Sequence, residues 1–275
     1  MSLKGMVINM KKIGFVDYYI SEWHANNYPV WIDALKCDYK VTHVWAETDK
    51  SPVDGRTTAE WCEKFGVTRC GSIDELCREC DVTVILAPSH PEKHLAYAEA
   101  VLPYGKPTYI DKTFAPDLET AEKIFSIAKQ YGTPFFSTSA LRYADELDAL
   151  AGGDNYVITG GGSNFPEYSV HLIEMAVKLL CDPIGTVDVV SQGRERICHL
   201  TTERGKKATL VYTPALPYSI ACDKADGTPA FVNITSPFFS GLMKDIIRFF
   251  DSGETSFDTA ETLEVMRVRD AVLNG

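Results

Sequence analysis

The strongest constraint on the fold is an alternation of strand-like and helix-like segments through the first half of the chain. Residues 82–87 form the clearest strand, because a continuous run of β-branched and apolar residues is typical of a parallel strand covered on both faces. Further strands are predicted over residues 12–16, 41–46, 67–70, 107–110 and 134–138. Apolar spacing predicts helices over residues 21–35, 58–65, 91–102 and 118–131, and another that Ser72 caps. This alternation indicates an α/β fold with a doubly wound parallel sheet.

The pattern changes near residues 149–154, where two adjacent glycines interrupt it. Beyond this point strands follow one another directly, at residues 156–159, 187–192, 196–202, 208–213, 218–222 and 231–234. Helices are predicted over residues 168–180, 240–250 and 259–273. Successive strands of this kind favour a mostly antiparallel, open sheet with helices on one face, an α+β arrangement. We therefore predict one domain over residues 1–150, with residues 1–10 as a lead-in, and a second over residues 151–275.

The formal net charge of −11 restricts the possible partners. A surface this acidic repels the phosphates of nucleic acids and of anionic lipids, so neither nucleic acid nor a membrane is expected as a partner. No apolar run is long enough to span a bilayer, and the first residues hold no apolar signal core. We therefore expect a cytoplasmic protein.

Eight cysteines are spread through apolar segments, which is typical of buried thiols in a reducing compartment rather than of a disulfide framework. The pair Cys77 and Cys80 has the spacing of half a zinc site. It lies in a predicted helix, and no second pair of that spacing exists in the chain. Zinc or redox chemistry is thus one interpretation, and buried thiols are the default.

The fourth and fifth strands carry a longer set of residues in a distinctive order. Residues 81–88 end in a proline, and they are followed by His94, by Gly105-Lys106 and by Asp111-Lys112-Thr113. This order resembles the Gfo/Idh/MocA family, which has an apolar strand, a Pro, a His, a Gly-Lys pair and Glu-Lys-Pro. The resemblance implies a Rossmann domain that binds NAD or NADP, and a second domain that holds a sugar, inositol or related polyol. It further implies oxidoreduction of a hydroxyl group, and a homodimer or homotetramer formed through the second sheet.

Lys112 is the first catalytic candidate. The resemblance places this lysine at the carboxyl end of a sheet strand, beside the nicotinamide and the substrate. An ammonium group there can hydrogen-bond a substrate hydroxyl and take part in moving its proton. Asp111 stands where the family has Glu and Thr113 where it has Pro, so the carboxylate is kept. The alternative is a surface Asp-Lys pair that ends a strand.

His171 is the second catalytic candidate. The triple glycine at residues 160–162, followed by Glu167, His171 and Glu174, resembles the family's Gly-Gly segment and its Asp-x-Gly-x-His-x-x-Asp. On a helix, both glutamates lie one turn from the histidine. A carboxylate that orients the imidazole would make it a general base for a hydroxyl proton, and the three side chains are expected to contact substrate. Two alternatives are a divalent-metal site and an ordinary amphipathic helix. We expect no metal.

The loop after the first strand departs from the family. A dinucleotide-binding loop needs glycines so that the backbone can approach the pyrophosphate. Gly14 precedes this loop, and the three glycine positions hold Val16, Tyr18 and Ser21. Tyr18 adds bulk and Asp17 adds negative charge, whereas the following helix is expected to offer free N–H groups. One alternative is therefore a non-catalytic or regulatory relative that has lost dinucleotide binding.

The remaining cofactor candidates follow the second and fourth strands. Glu47 stands where an acidic residue would bind the ribose hydroxyls, which favours NAD over NADP. By resemblance, Ala87, Pro88 and His94 would line the cofactor, and Lys112 would contact the nicotinamide.

The second sheet is also predicted to mediate self-association. Its face away from the helices is expected to carry Val187, Val189, Leu210 and Tyr212, and an apolar sheet face is normally covered.

Overall fold

Strand β1 (Lys11–Asp17) lies at the centre of a parallel sheet, with its residues from Ile13 to Asp17 buried and both of its edges paired.

The structure is a computed structural model, and it describes residues 10–275. The next elements are α1 (Trp23–Ala34), β2 (Tyr39–Ala46), α2 (Thr58–Phe65), β3 (Thr68–Arg69), α3 (Ile73–Glu79), β4 (Val82–Ile85), α4 (His94–Val101), β5 (Thr108–Ile110), α5 (Leu118–Tyr131), β6 (Phe135–Phe136) and α6 (Asp145–Leu150). Short 3₁₀ turns occur at Pro91–Lys93, Leu102–Tyr104 and Ala140–Tyr143.

The strand order of this sheet is β3-β2-β1-β4-β5-β6. The order reverses between β1 and β4, which pair in parallel. In open α/β sheets, ligands bind outside the carboxyl ends of the strands at such a reversal. The turns after β1 and β4 are therefore the first place to look for a ligand site.

The second sheet contains β7 (Asp154–Gly160) and five later strands. Its other elements and the closing helices are α7 (Phe165–Leu180), β8 (Ile184–Gln192), β9 (Glu195–Thr202), β10 (Lys207–Tyr212), β11 (Ser219–Asp223), β12 (Pro229–Asn233), α8 (Phe238–Ser252) and α9 (Ala260–Asn274). The order is β12-β11-β7-β10-β9-β8. Neighbouring strands pair antiparallel except for β7 and β10, which are parallel. The predicted fold class, a doubly wound parallel sheet followed by a mostly antiparallel sheet, is confirmed.

The prediction about the two faces of the second sheet is wrong. Leu210 and Tyr212 are each 2% exposed and belong to the core under α7 and α9, and Val187 and Val189 pack against that core. Register places the alternate residues of each strand on the opposite side of the sheet. That side carries Val157, Thr159, Val190, Ile197, Val211, Ala221 and Phe231, which we call the open face.

The chain forms two compact units whose segments interleave along the sequence. The first unit holds the described residues up to Ile110, together with Ser126–Phe135 and Met243–Glu254. The second holds Asp111–Phe125, Phe136–Leu242 and Thr255–Gly275. A division of cofactor binding and substrate binding at residue 150 stays a prediction.

Several predicted elements differ in detail. Helix α6 was not predicted, and α7 begins at Phe165 rather than at residue 168, because Asn164 caps it and Pro166 occupies its first turn. The predicted lead-in lies outside the described residues, apart from Met10. Within residues 10–275, no helix has the length and apolar character needed to cross a membrane.

Candidate functional site

In the first unit, Gly14 packs against a helix rather than lining the turn after β1. A Cβ at Gly14 would lie 2.5 Å from Cδ2 of Leu76 and 2.9 Å from Sγ of Cys80. The glycine therefore allows α3 to approach β1 closely. Val16 is fully buried within the strand. The close packing of α3 accounts for Gly14 without a cofactor.

Asp17 ties the end of β1 to the turn that follows β4. Its side chain is 1% exposed, and its Oδ1 accepts hydrogen bonds from the backbone N–H of Tyr18 at 2.7 Å and of Ala87 at 3.0 Å. Ala87 has a φ of 64°, in the left-handed region that favours glycine. A buried carboxylate thus engages backbone donors of the turns that follow β1 and β4.

Glu22 fills the start of α1. Its Oε2 accepts the backbone N–H of His24 at 2.7 Å, and its Oε1 accepts the backbone N–H of Ala25. Nδ1 of His24 lies 3.2 Å from Oε2. The expectation that this helix start offers free N–H groups is therefore wrong for His24 and Ala25, whose donors are engaged by a carboxylate that is 6% exposed.

Glu47, the predicted ribose ligand, binds two side chains from α4 and the turn before it. Its Oε1 accepts from Nζ of Lys93 at 2.6 Å, and its Oε2 accepts from the hydroxyl of Tyr97 at 2.7 Å. Those two hydrogen bonds lower the pKa of Glu47, that from Lys93 having the larger effect. Burial and the contact with Glu47 raise the pKa of Tyr97.

The other predicted cofactor residues make structural contacts in the same unit. His94 is fully buried, and its Nε2 lies 2.5 Å from the carbonyl oxygen of Leu86, which joins α4 to the end of β4. Pro88 is buried as well. The ring of Tyr18 lies 4.6 Å from that of His90, and Nζ of Lys93 lies 4.7 Å from the Tyr18 ring centroid.

These contacts decide whether a dinucleotide fits. A pyrophosphate at a Rossmann helix needs backbone donors and room for close approach. Here carboxylates of Glu22 and Asp17 accept from four such donors, and no glycine occurs between Gly14 and the start of α1. A dinucleotide in the usual position does not fit this arrangement.

In the second unit, Asp111 and Lys112 directly follow β5 in the chain. Asp111 is 1% exposed, whereas Lys112 is half-buried. The Lys112–Thr113 peptide bond is cis. Asp111 is thus an interior residue rather than half of an exposed surface pair, and Lys112 stays partly accessible.

His171 lies on α7 with a hydroxyl at one ring nitrogen and two aromatic rings close to its imidazole. Oγ of Ser139 lies 2.7 Å from Nδ1 of His171. The rings of Tyr168 and Tyr218 lie 5.7 and 5.9 Å from the imidazole, centroid to centroid. The histidine itself is half-buried. An imidazole held by a hydrogen bond beside two aromatic rings can accept a hydroxyl proton from a ligand with apolar C–H surfaces.

The triple glycine builds one side of this site. A Cβ at Gly160 would lie 2.6 Å from Cε1 of Tyr218, and one at Gly162 would overlap the ring of Tyr168. The hydroxyl of Tyr218 donates to the carbonyl of Gly161 at 3.2 Å, and burial raises the pKa of this tyrosine. The glycines therefore let both tyrosines pack beside His171.

Glu174 belongs to an ion-pair network. Its Oε1 accepts from Nε of Arg142 at 2.6 Å and from the hydroxyl of Thr138 at 2.7 Å, and it is 3% exposed. Arg142 also donates to Glu261 at 2.6 Å. The prediction that a carboxylate orients His171 does not hold for Glu174. The group at Nδ1 of His171 is the hydroxyl of Ser139, and the carboxylate of Glu174 instead neutralises the buried guanidinium of Arg142.

Glu167 lies in the first turn of α7 beside its cap. Its backbone N–H donates to Oδ1 of Asn164 at 2.9 Å, and its Oε2 accepts from Nδ2 of Asn164 at 3.0 Å. In residues 10–275, no group of three or more His, Cys, Asp and Glu side chains is placed to hold a metal ion.

The sequence interpretation missed Ser139 and Tyr218. Ser139 comes shortly after β6, with Thr138 before it, and polar residues at the carboxyl end of a parallel strand are a usable signal for a site. Tyr218 follows a proline between two strands and offers no comparable signal.

Cys77 and Cys80 are buried thiols. Burial raises the pKa of Cys77 to about 11 and that of Cys80 to about 12, so both are protonated at neutral pH. All eight cysteines are free, and six of them are buried. The zinc and redox interpretations find no support in this geometry.

Comparison with known proteins gives one family match. Residues 23–139 match the family model described as "Oxidoreductase family, NAD-binding Rossmann fold", GFO_IDH_MocA. A curated relative, the uncharacterized oxidoreductase YhhX of Escherichia coli (strain K12), is 33% identical over 66 residues. That segment is 23% of this chain and 19% of the relative, so the match spans about a fifth of the relative's length.

Two solved structures share the fold over nearly the whole chain. Biliverdin reductase from Synechocystis sp. PCC 6803, in complex with biliverdin and NADP+, has a TM-score of 0.74 at 14% identity, covering 96% of this chain and 98% of that one. UDP-N-acetylglucosamine 3-dehydrogenase GnnA from Acidithiobacillus ferrooxidans has a TM-score of 0.73 at 14% identity, covering 95% and 97%. Residues 23–139 are thus similar to the Gfo/Idh/MocA oxidoreductases, and the two solved structures show that the chain shares their fold.

Proposed function

We propose that this protein binds a sugar, inositol or related polyol in its second unit and acts on one of its hydroxyl groups. His171 would accept the hydroxyl proton, and Lys112 would hydrogen-bond the oxygen. The observation that carries the proposal is the 2.7 Å contact between Ser139 and His171, which orients the imidazole beside two tyrosine rings. The proton then moves from the hydroxyl to the imidazole while the ammonium stabilises the developing negative charge.

The sugar class is supported by a fold relative. GnnA is a 3-dehydrogenase of UDP-N-acetylglucosamine, so a protein of this fold acts on a sugar. Flat tyrosine rings also suit the C–H faces of a sugar ring, because aromatic side chains supply rigid apolar contact area. Oxidation of a carbinol removes a hydride as well. The hydride would go to NAD+ or NADP+ bound outside the usual position, since a dinucleotide does not fit the turn after β1 as folded. His171 and Lys112 are assigned only the hydroxyl and its proton.

A substitution of Lys112 tests this proposal. Lys112→Ala should reduce turnover of a polyol by about a hundredfold or more, as for removal of a proton-transfer group. A screen of myo-inositol, hexoses and a UDP-sugar with NAD+ or NADP+ would supply the substrate. Lys129→Ala is the control, because Lys129 is an exposed lysine on α5. Full turnover by Lys112→Ala, with an unchanged melting temperature, would remove Lys112 from the mechanism.

A second candidate function is a polyol-binding or regulatory protein without turnover. The observation that favours it is the engagement of backbone donors by Glu22 and Asp17. Titration with NADH, followed by its fluorescence, separates the two candidates. Binding in the micromolar range supports the enzyme, and no binding at millimolar NADH supports the binding protein.

The same proposal includes a homodimer or homotetramer formed through the open face of the second sheet. Phe231 is 65% exposed and Val190 is 56% exposed there. We further propose that the protein works in the cytoplasm on a small molecule, without nucleic acid or membrane partners.

A further inference from the structure

We infer that the carboxylate of Glu22 occupies the place that the pyrophosphate of a dinucleotide takes at the start of the first Rossmann helix. While Glu22 binds the backbone N–H groups there, the family's dinucleotide does not bind at the start of α1. The inference leaves polyol binding by the second unit unchanged, but it excludes the helix start as the place of the hydride acceptor in the proposed oxidation.

The geometry of Glu22 differs from that of an ordinary helix cap. Usual capping residues have short side chains, and the oxygen of one accepts a single N–H. Glu22 instead uses both carboxylate oxygens, one for the N–H of His24 and the other for the N–H of Ala25. Two oxygens on adjacent helix N–H groups reproduce the contacts that a phosphate makes at such a helix.

Burial separates Glu22 from Glu60, another capping carboxylate of this unit. Glu22 is 6% exposed, whereas Glu60, which completes a capping box at α2, is exposed to solvent. A glutamate at an exposed cap can move aside at little cost. Glu22 is buried, and Nδ1 of His24 lies 3.2 Å from its carboxylate. Moving this carboxylate away would therefore break its buried hydrogen bonds to the N–H groups of His24 and Ala25.

Asp17 adds a second negative charge at the same reversal of strand order. It is 1% exposed, and it accepts the N–H groups of Tyr18 and Ala87 at the ends of β1 and β4. A pyrophosphate brought to this turn would therefore meet like charge from two buried carboxylates, and like charges at close range in a partly dry site are strongly unfavourable. The disagreement with the family's cofactor is thus electrostatic as well as steric.

Removal of the Glu22 carboxylate should restore anion binding. In Glu22→Ser the hydroxyl keeps a cap for the helix while the charge and most of the side-chain volume are lost. Glu22→Gln removes the charge and keeps the length. The matched control is Glu60→Gln, which neutralises a capping carboxylate on another helix of the same unit.

The experiment is titration of the full-length protein with NADH and, separately, with inorganic pyrophosphate. We expect Glu22→Ser to bind both at least about tenfold more tightly than the unsubstituted chain, on the scale of one relieved like-charge contact. Glu22→Gln should gain several-fold, and Glu60→Gln should gain nothing. Hydrogen exchange of the amides of residues 23–26 should slow on adding pyrophosphate to Glu22→Ser but not to the unsubstituted chain.

Two results would overturn the inference. One is an unchanged affinity in either folded Glu22 variant, with circular dichroism confirming the fold. The other is micromolar NADH binding by the unsubstituted chain together with protection of residues 23–26, because the dinucleotide would then already reach the helix start. If Glu22→Ser fails to fold, Glu22→Gln decides the question alone.

Discussion

Glu146 joins the short helix α6 to the segment before α8 through its carboxylate. Oε1 accepts the backbone N–H of Thr235 at 2.8 Å and of Ser236 at 2.9 Å, and Oε2 accepts the hydroxyl of Ser236 at 2.5 Å. Burial alone would raise the pKa of Glu146, but the hydrogen bonds from Ser236 and Thr235 lower it to about 2. This carboxylate therefore stabilises the fold in its ionised form.

We expect Glu146→Gln to lower the free energy of unfolding by about 1–2 kcal/mol at pH 7, as for loss of a capping side chain. A depressed folded pKa contributes stability that is complete above the unfolded value of about 4.3 and is lost as the pH falls toward 2. The difference between the two proteins should therefore shrink between pH 4.3 and pH 2. Urea unfolding at pH 7, 5 and 3 measures it, with the exposed Glu119→Gln as the control. A gap that stays constant with pH would contradict the assignment.

At the scale of an element, the open face leaves apolar side chains of the second sheet accessible. Val211 lies near the middle of this face, between Thr159 of β7 and Ile197 of β9. A glutamate there would place a charge at the centre of a covered interface, which is costly without a partner.

We therefore expect Val211→Glu to convert a self-associated protein to a 30.5 kDa monomer by light scattering at micromolar concentration. The matched control is Val53→Glu, because Val53 is 69% exposed on the first unit. A monomeric unsubstituted chain, or an unchanged mass in Val211→Glu, would rule out association through the open face.

Most helices and strands could be predicted because their apolar periodicity was clear. Helix α6 could not, since it has six residues and no side-chain cap, and glycines follow it closely. The prediction assigned the two faces of the second sheet the wrong way round because β7 and β10 are apolar at successive positions, as at Val157-Ile158 and Leu210-Val211. Period-two alternation cannot choose a face in such strands.

Some residues of the candidate site could likewise be predicted from the sequence, and others could not. Lys112 and His171 could be selected from motif order, although their geometry was not accessible from sequence. The cap formed by Glu22 was missed because glutamate is not a usual capping residue. Ser139 was missed because the contact with His171 joins positions 32 residues apart, which no local pattern encodes.

At the scale of the whole molecule, the first unit depends on a segment near the end of the chain. Nζ of Lys11 lies 2.6 Å from Oδ1 of Asp251, the hydroxyl of Tyr39 donates to the same oxygen at 3.0 Å, and the ring of Tyr39 lies 5.7 Å from that of Phe250. A fragment that ends at residue 150 lacks these partners.

We expect residues 1–150 alone to unfold without a cooperative transition, whereas the full chain unfolds cooperatively. Thermal unfolding followed by near-ultraviolet circular dichroism compares the two. The full chain with Asp251→Ala is the control for loss of the ion pair alone, because it keeps Phe250 and the rest of α8. A sharp transition in the fragment would instead make residue 150 a true structural boundary.

The position of β7 in its sheet has a consequence for synthesis of the protein. Both of its neighbours, β10 and β11, come later in the chain. Roughly fifty residues separate the end of β7 from the start of β10, which at about 5–20 residues per second is several seconds of translation. The helix that follows directly, α7, packs against β7. On the ribosome this helix is thus the first cover available to the core-facing Tyr156 and Ile158 of β7, and β7 gains a paired neighbour only after β10 has emerged.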